Sequence, residues 1–361
     1  MMGIASVSAL FAALLGSSGD VSALAWVVES PLFTDALGRF FEPRTFARLV
    51  VEGLGKGAVY FIIAVGLTLV FGLMGVLNFA HGAMAMLGAY LGGLLIVLSL
   101  PSGAGAMTTI AVFFVIAAVV FALLAAFGSL IEATLVRRIY DRTPMYQILL
   151  TFGVALILEE TTRIFATMRG IQPEPQWSTP MATLPDVLAA RYNILGANIR
   201  GLYLFEIVLG VLAVFAVWVF LNRTMYGLYI RAGSEDPEMI EALGVDVRRA
   251  FTVVFGLGTA LAGVGGVLLM WDPVWGPSVL LNIDVLLYAF VVVIIGGLGS
   301  FKGTVVAAAI VGITDSFTTW LFQTGIVDFS GLSEIAIFLL LVIVLIVRPK
   351  GLYGVEEVGG H

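Results

Sequence analysis

Nine apolar blocks, most of them close to the length needed to cross a bilayer, follow one another along this chain at 57–77, 83–100, 107–131, 146–168, 201–221, 251–270, 284–298, 304–322 and 334–347. A hydrocarbon core of about 30 Å needs roughly 20 helical residues, and backbone exposed to lipid must satisfy its own hydrogen bonds. Only helices and closed barrels do that. A barrel would show alternating segments of about ten residues, whereas these blocks are apolar throughout, so helices are expected. Composition agrees: 60% of residues are hydrophobic and 12% charged, against roughly 45–50% apolar and 25% charged in soluble domains. The expected fold is all-α, a polytopic transmembrane helical bundle of about eight to ten membrane segments, placed multi-pass in the cell (inner or plasma) membrane.

The same composition removes whole classes of function. The chain has no cysteine and two histidines, His81 and His361, so thiol chemistry and a cysteine or histidine metal cluster are excluded, and no metal or cofactor is expected. A formal net charge of -6 with sparse basic residues cannot build a nucleic-acid surface. No hydrolytic triad or carboxylate dyad can be assembled either, so a membrane enzyme lacks a site.

Arginine and lysine set the orientation. Arg137, Arg138 and Arg142 follow the third block, Arg223, Arg231, Arg248 and Arg249 follow the fifth, and Arg348 and Lys350 follow the last; by the positive-inside rule all three loops are cytoplasmic. The loop 222–250 is then internal and 169–200 external. One conflict appears at the front. Counting back makes the start of the first block external, yet Arg39, Arg44, Arg48 and Lys56 precede it. Either 54–98 contains a discontinuous helix broken near Asn78 to Gly82, as transporters place breaks where substrate passes, or a helix within 1–37 restores parity. Residues 1–48 read as an N-terminal extension, 49–350 as the membrane domain and 351–361 as a cytoplasmic tail. The run Ile4–Leu15 lacks a basic flank and a clear cleavage site and is not read as a signal peptide.

Small residues recur at helical spacing, Ala85, Ala89 and Gly93 in the second block and Gly258, Ala262 and Gly266 in the sixth. Such rows let backbones approach closely within a bundle. Gly296-Gly-Leu-Gly-Ser-Phe-Lys-Gly303 divides a short pair of blocks and suits a tight turn or an unwound segment.

Polar groups inside the blocks are the candidate functional residues. Asn78, His81 and Gly82 interrupt an apolar run; His81 reads either as a hydrogen-bonded packing residue or as a substrate contact. Asp315 lies mid-block, where an aspartate costs about 2.5–3.5 kcal/mol on insertion scales, so it should face the interior or a wet cavity. Arg163 can pair with Glu159 at i, i+4. In the loop 222–250, Asp236 suits an N-cap, Pro237 the first helical position and Gly244 the residue past the end, which defines a helix of about two turns. Met239, Ile240 and Leu243 share its apolar face. So short a helix needs a supporting surface, either this bundle or a partner.

The strings Gly66-Leu-Thr…Phe71-Gly-Leu-Met-Gly…Asn78-Phe-Ala-His-Gly…Met86-Leu-Gly-Ala-Tyr90, Arg231-Ala…Leu243-Gly-Val-Asp, Gly296-Gly-Leu-Gly-Ser…Gly303 and Arg348-Pro-Lys-Gly-Leu352 occur in this order. They resemble the integral-membrane permease subunits of branched-chain amino acid ABC importers, a family that also includes urea and amide permeases. The resemblance implies a permease subunit that translocates branched-chain or other small amino acids. It also implies a second permease subunit, homologous or identical, two cytoplasmic ATP-binding subunits and an external solute-binding protein. Residues 235 to 246 match the position at which family permeases contact the ATPase, which makes Glu235, Asp236, Pro237, Met239, Ile240, Leu243 and Gly244 the implied coupling set. No G-x-x-x-x-G-K-[ST] pattern occurs in the chain, so ATP hydrolysis is expected on a separate protein. The alternative is a permease, channel or carrier for urea, short amides or another small neutral solute.

Overall fold

The computed structural model describes residue 38 and residues 42–354 except 102, 141, 195, 236–243, 245, 326–328 and 330. Helices α1 (Pro43–Met74), α2 (His81–Ser99), α3 (Ala106–Thr134) and α4 (Pro144–Met168) lead to two single turns, α5 (Ser178–Met181) and α6 (Asp186–Ala189). A hairpin of β1 (Arg191–Ile194) and β2 (Ala197–Arg200) precedes α7 (Gly201–Arg223), α8 (Met225–Glu235), α9 (Val247–Leu269), α10 (Leu281–Gly296), α11 (Phe301–Gln323) and α12 (Leu332–Val347). All nine apolar blocks are therefore helical. Six helices among the described residues are long and apolar enough to cross a membrane. Of the other three, α10 and α12 are apolar but have 16 residues each, about 24 Å at 1.5 Å per residue, and α4 carries Glu159, Glu160 and Arg163 in its outer half.

Local chemistry sets the helix ends. Pro43 and Pro144 occupy the first turns of α1 and α4, where a missing N–H costs nothing. Gly75 closes α1 in the left-handed region at φ 62, with its N–H on the Phe71 carbonyl, a conformation glycine reaches without strain. Asp246 caps α9 by accepting from the Arg249 N–H at 3.1 Å.

At the centre stand α1 and α9. The first packs on α11, α9, α7 and α10, the second on α3, α2 and α1. The small-residue rows make this possible: Gly258 faces the backbone of Gly66, and Gly266 that of Ala85 and Ala89, leaving no room for a Cβ. Gly93 turns instead to Trp177 and Pro180. Large apolar side chains on the periphery are exposed, among them Ile157, Val211 and Ile346. An apolar periphery around a packed interior is what lipid requires.

One end of the bundle is basic. There Glu132, fully buried, accepts from Arg137 Nε and Nη2 (3.1 and 2.8 Å), the Tyr140 hydroxyl (2.6 Å) and the Thr252 hydroxyl (2.6 Å), tying α3 to α9. At the same end Gly297 and Gly299 adopt φ 100 and 78. The Leu352 and Tyr353 N–H groups donate to the carbonyls of Ile295 and Gly296 (2.8 and 3.0 Å). The glycine segment and the Arg348-Pro-Lys-Gly string are thus one unit, in which Gly351 and Gly354 pack directly on Gly297. At the opposite end Trp271 stacks on Phe113 at 4.7 Å and donates to the Thr183 hydroxyl at 3.1 Å.

The start of α1 belongs to that opposite end, with Arg44 against Gly196 of the hairpin. Its charges are absorbed locally: Arg48 stands 3.9 Å from Glu52, and Lys56 is buried in an ion pair. The two-stranded hairpin was not expected from the sequence, and residues 1–37, where an extra helix would restore parity, lie outside the described residues.

Candidate functional site

Between α1 and α2 the chain leaves helical geometry at 75–80. His81 does not begin the next helix at the membrane edge. Its Nε2 donates to the Ile63 carbonyl at 2.8 Å, and Ile63 lies eleven residues before the end of α1, about 16 Å back along the axis. The segment therefore re-enters the bundle, and α2 starts in its interior. Thr151 of α4 holds the returning strand by accepting from the Phe79 N–H at 3.1 Å. Asn78, fully buried, accepts from the Ala80 N–H at 3.0 Å.

Gly82, in the first turn of α2, meets the carbonyl of Asn282 in the first turn of α10 so closely that a Cβ would overlap it. Two helix N-termini thus meet in the interior, each with a positive partial charge; the first-turn N–H groups of α10 are taken by the carbonyls of Ser278, Val279 and Leu280. Asn78 Nδ2, His81 Nδ1 and Asn282 Oδ1 are buried without a partner. The Asn282 amide donates to Glu159 at 2.9 Å. Glu159 and Glu160 pair with Arg163, as does Glu174 at 2.7 Å. Unpartnered polar atoms this deep are uncommon in folded proteins.

Asp315 lies elsewhere, on α11. Its Oδ2 receives Lys56 Nζ at 2.8 Å and the Tyr60 hydroxyl at 2.8 Å, both from α1. Lys56 also reaches the Thr319 hydroxyl at 3.2 Å. Close approach of the two helices permits this: Gly53 and Gly57 pack on the α11 backbone at Gly312, Ile313 and Ala308. Asp315 and Thr319 line a cavity of about 450 Å³ that opens at the hairpin end, with Trp275, Tyr288, Asp284 and Glu334 on its walls. That volume suits a small solute.

Of the coupling set, Glu235 ends α8 and Gly244 adopts φ 83. Asp236, Pro237, Met239, Ile240 and Leu243 lie outside the described residues. Sequence reasoning placed Lys56 only among the charges before the first block and passed over Tyr60, Glu132, Glu206 and Asp272. The available signal was a charge inside an apolar run, as at Asp315. Lys56 and Glu206 carry that signal too, but their partners come from distant helices and cannot be read from spacing.

Comparison with known proteins accords with this architecture. No solved structure matches the chain at a significant level. It is 27% identical over 316 residues to the high-affinity branched-chain amino acid transport system permease protein BraD of Pseudomonas aeruginosa, covering 87% of this chain and 97% of that protein. It is 26% identical over 319 residues to LivH of Escherichia coli, with the same coverage. To the probable branched-chain amino acid transport permease protein LivH of Methanocaldococcus jannaschii it is 25% identical over 327 residues, 86% and 96% of the two chains. Residues 49–347 match the family described as the branched-chain amino acid transport system permease component, and the chain belongs to that family.

Proposed function

We propose that this chain is the membrane-spanning permease subunit of an ATP-driven importer for branched-chain or other small amino acids. ATP is hydrolysed on separate cytoplasmic subunits, a solute-binding protein delivers substrate at the hairpin end, and a second permease copy or relative completes the pathway. The basic end is then cytoplasmic. The observation that carries this reading is the family match along the whole bundle, residues 49–347, together with a helix that begins inside it.

The broken segment supplies what a passing solute needs. Asn78, His81 and Gly82 present interior backbone and side-chain polarity where a continuous helix would present none. Asp315, at the wall of the outer cavity, stands on the approach. Alternating access would open first the cavity and then the basic end. The loop 222–250, which includes α8 and leads into α9, would carry the coupling set Glu235 to Gly244 to the ATPase and transmit hydrolysis into those helices.

Co-reconstitution tests the reading. The permease, assembled in vesicles with its ATPase and binding protein, should take up leucine only when ATP is supplied on the side of the basic end. Leucine flux without ATPase or nucleotide would point instead to a channel or carrier, the reading that includes urea and amides.

A further inference from the structure

Beside the Lys56–Asp315 pair stands a carboxyl that the fold does not use. Glu206 on α7 is 1% exposed, and neither of its oxygens has a hydrogen-bond partner. Its helix neighbours set its height: Tyr203 packs on Gly55 and Gly210 on Ala58, so Glu206 stands level with Lys56 on α1. Lys56, Arg200 and Asp272 act on it electrostatically. Asp272, buried in the turn after α9, accepts from the Val274 and Trp275 N–H groups at 2.7 and 2.9 Å and so backs the cavity wall. Burial still raises the Asp272 carboxyl above its usual range.

One buried ammonium, Lys56, therefore stands among three buried carboxyls, those of Asp315, Asp272 and Glu206. Asp315 holds it, Asp272 is served by backbone, and Glu206 is an empty seat. Packing does not explain Glu206. An apolar side chain of similar size would fill the same place without the cost of desolvating an unpaired carboxyl.

We propose that Lys56 is a two-position switch, which leaves Asp315 for Glu206 when substrate arrives and frees Asp315 to receive the ammonium group of the amino acid. This rests on the reading of the chain as an amino-acid permease and adds the chemical feature recognised, a primary ammonium. Lysine suits the task because its charge rides on a flexible four-carbon stem. The exchange balances with one proton counted: Glu206, neutral while buried without a partner, gives its proton to water in the cavity as Lys56 arrives, so the substrate ammonium ends on Asp315 and the lysine ammonium on the Glu206 carboxylate. Asp315 and Thr319 face the cavity; of its other carboxylates Glu174 pairs with Arg163, while Asp284 and Glu334 form no ion pair among the described residues, so the cavity attracts cations. Trp275, Tyr288 and Leu281 offer apolar walls to the rest of the solute. A neutral solute has no group to exchange for the lysine.

The test uses the reconstituted assembly of permease, ATPase and binding protein, and reads maximal leucine uptake, the KM for the loaded binding protein and the melting temperature of each permease variant. Glu206→Gln and Glu206→Leu should melt at or above wild type, keep the KM and lose at least ten-fold in maximal uptake. Glu206→Asp, which keeps the carboxyl, should recover part of it. Glutamine has the shape of a protonated glutamate, so wild-type uptake by Glu206→Gln overturns the switch, as does wild-type uptake by Glu206→Leu. A melting temperature that falls in both variants makes Glu206 a structural group and overturns it equally. Those outcomes leave the amino-acid reading intact, whereas a wild-type assembly that takes up no leucine overturns that reading and the switch with it.

Discussion

At Gly82 the absence of a side chain keeps α2 against α10, because a Cβ there would overlap the Asn282 carbonyl. Gly82→Ala should therefore destabilise by about 1–3 kcal/mol through overpacking and lower uptake. Gly153→Ala is the control, since nothing lies within 4 Å of a Cβ at that helical position, and it should be neutral or stabilising by up to about 1 kcal/mol. Melting temperatures of the two variants in detergent check the contrast; equal behaviour would mean that the junction yields. Glu132 poses the opposite case, a buried carboxylate with every neighbour a donor. Removing it by Glu132→Ala takes the acceptor from Tyr140 and Thr252, while Arg137, a third exposed, keeps the Thr252 hydroxyl, and should cost about 1–3 kcal/mol. Tyr140→Phe, which deletes one hydrogen bond to a charged acceptor, should cost about 1.5–3 kcal/mol. A double variant no worse than Glu132→Ala alone would show that the two act through one cluster.

Among the elements, the interrupted segment was the most legible. Asparagine, histidine and glycine in an apolar run announce a break, and the non-helical stretch lies at 75–80. What the pattern did not reveal was that α2 starts back inside the bundle, because that depends on where the carbonyl of Ile63 and the hydroxyl of Thr151 stand. The rows Ala85–Ala89 and Gly258–Gly266 were legible as packing surfaces: Gly266 packs on Ala85 and Ala89, and Gly258 on Gly66 of α1. The loop at 236–243 remains a sequence expectation. Leu243→Asp, which would place a charge on the apolar face of the expected short helix without touching a span, should abolish uptake while leaving membrane insertion and permease level unchanged. Uptake that survives with the ATPase still bound would remove this helix as the coupling element.

For the whole molecule the orientation can be read with one chemistry, because the chain has no cysteine. Cysteines replacing Arg138, Arg231 and Lys350 should resist an impermeant reagent applied to intact cells, and one replacing Gln176 should react. Labelling of any of the first three would invert the topology. On the proposed orientation the arginines at the front of α1, which stand at the hairpin end, run against the charge rule. Lys56 pairs there with Asp315, and Arg48 lies beside Glu52.

Apolar periodicity, glycine and the scarcity of charge determined by themselves that this chain is a helical membrane bundle, where its helices run and where one is interrupted, since each of these is a local consequence of burying backbone in hydrocarbon. Which buried charges meet was decided only by the tertiary structure. Lys56 and Asp315 are separated by 259 positions, and Lys56 and Glu206 by 150. A side chain's cost in the membrane is visible in its own sequence, but the partner that offsets the cost is set by which helices pack together, through glycines at Gly53, Gly55 and Gly57 that bring α11 to one side of α1 and α7 to another.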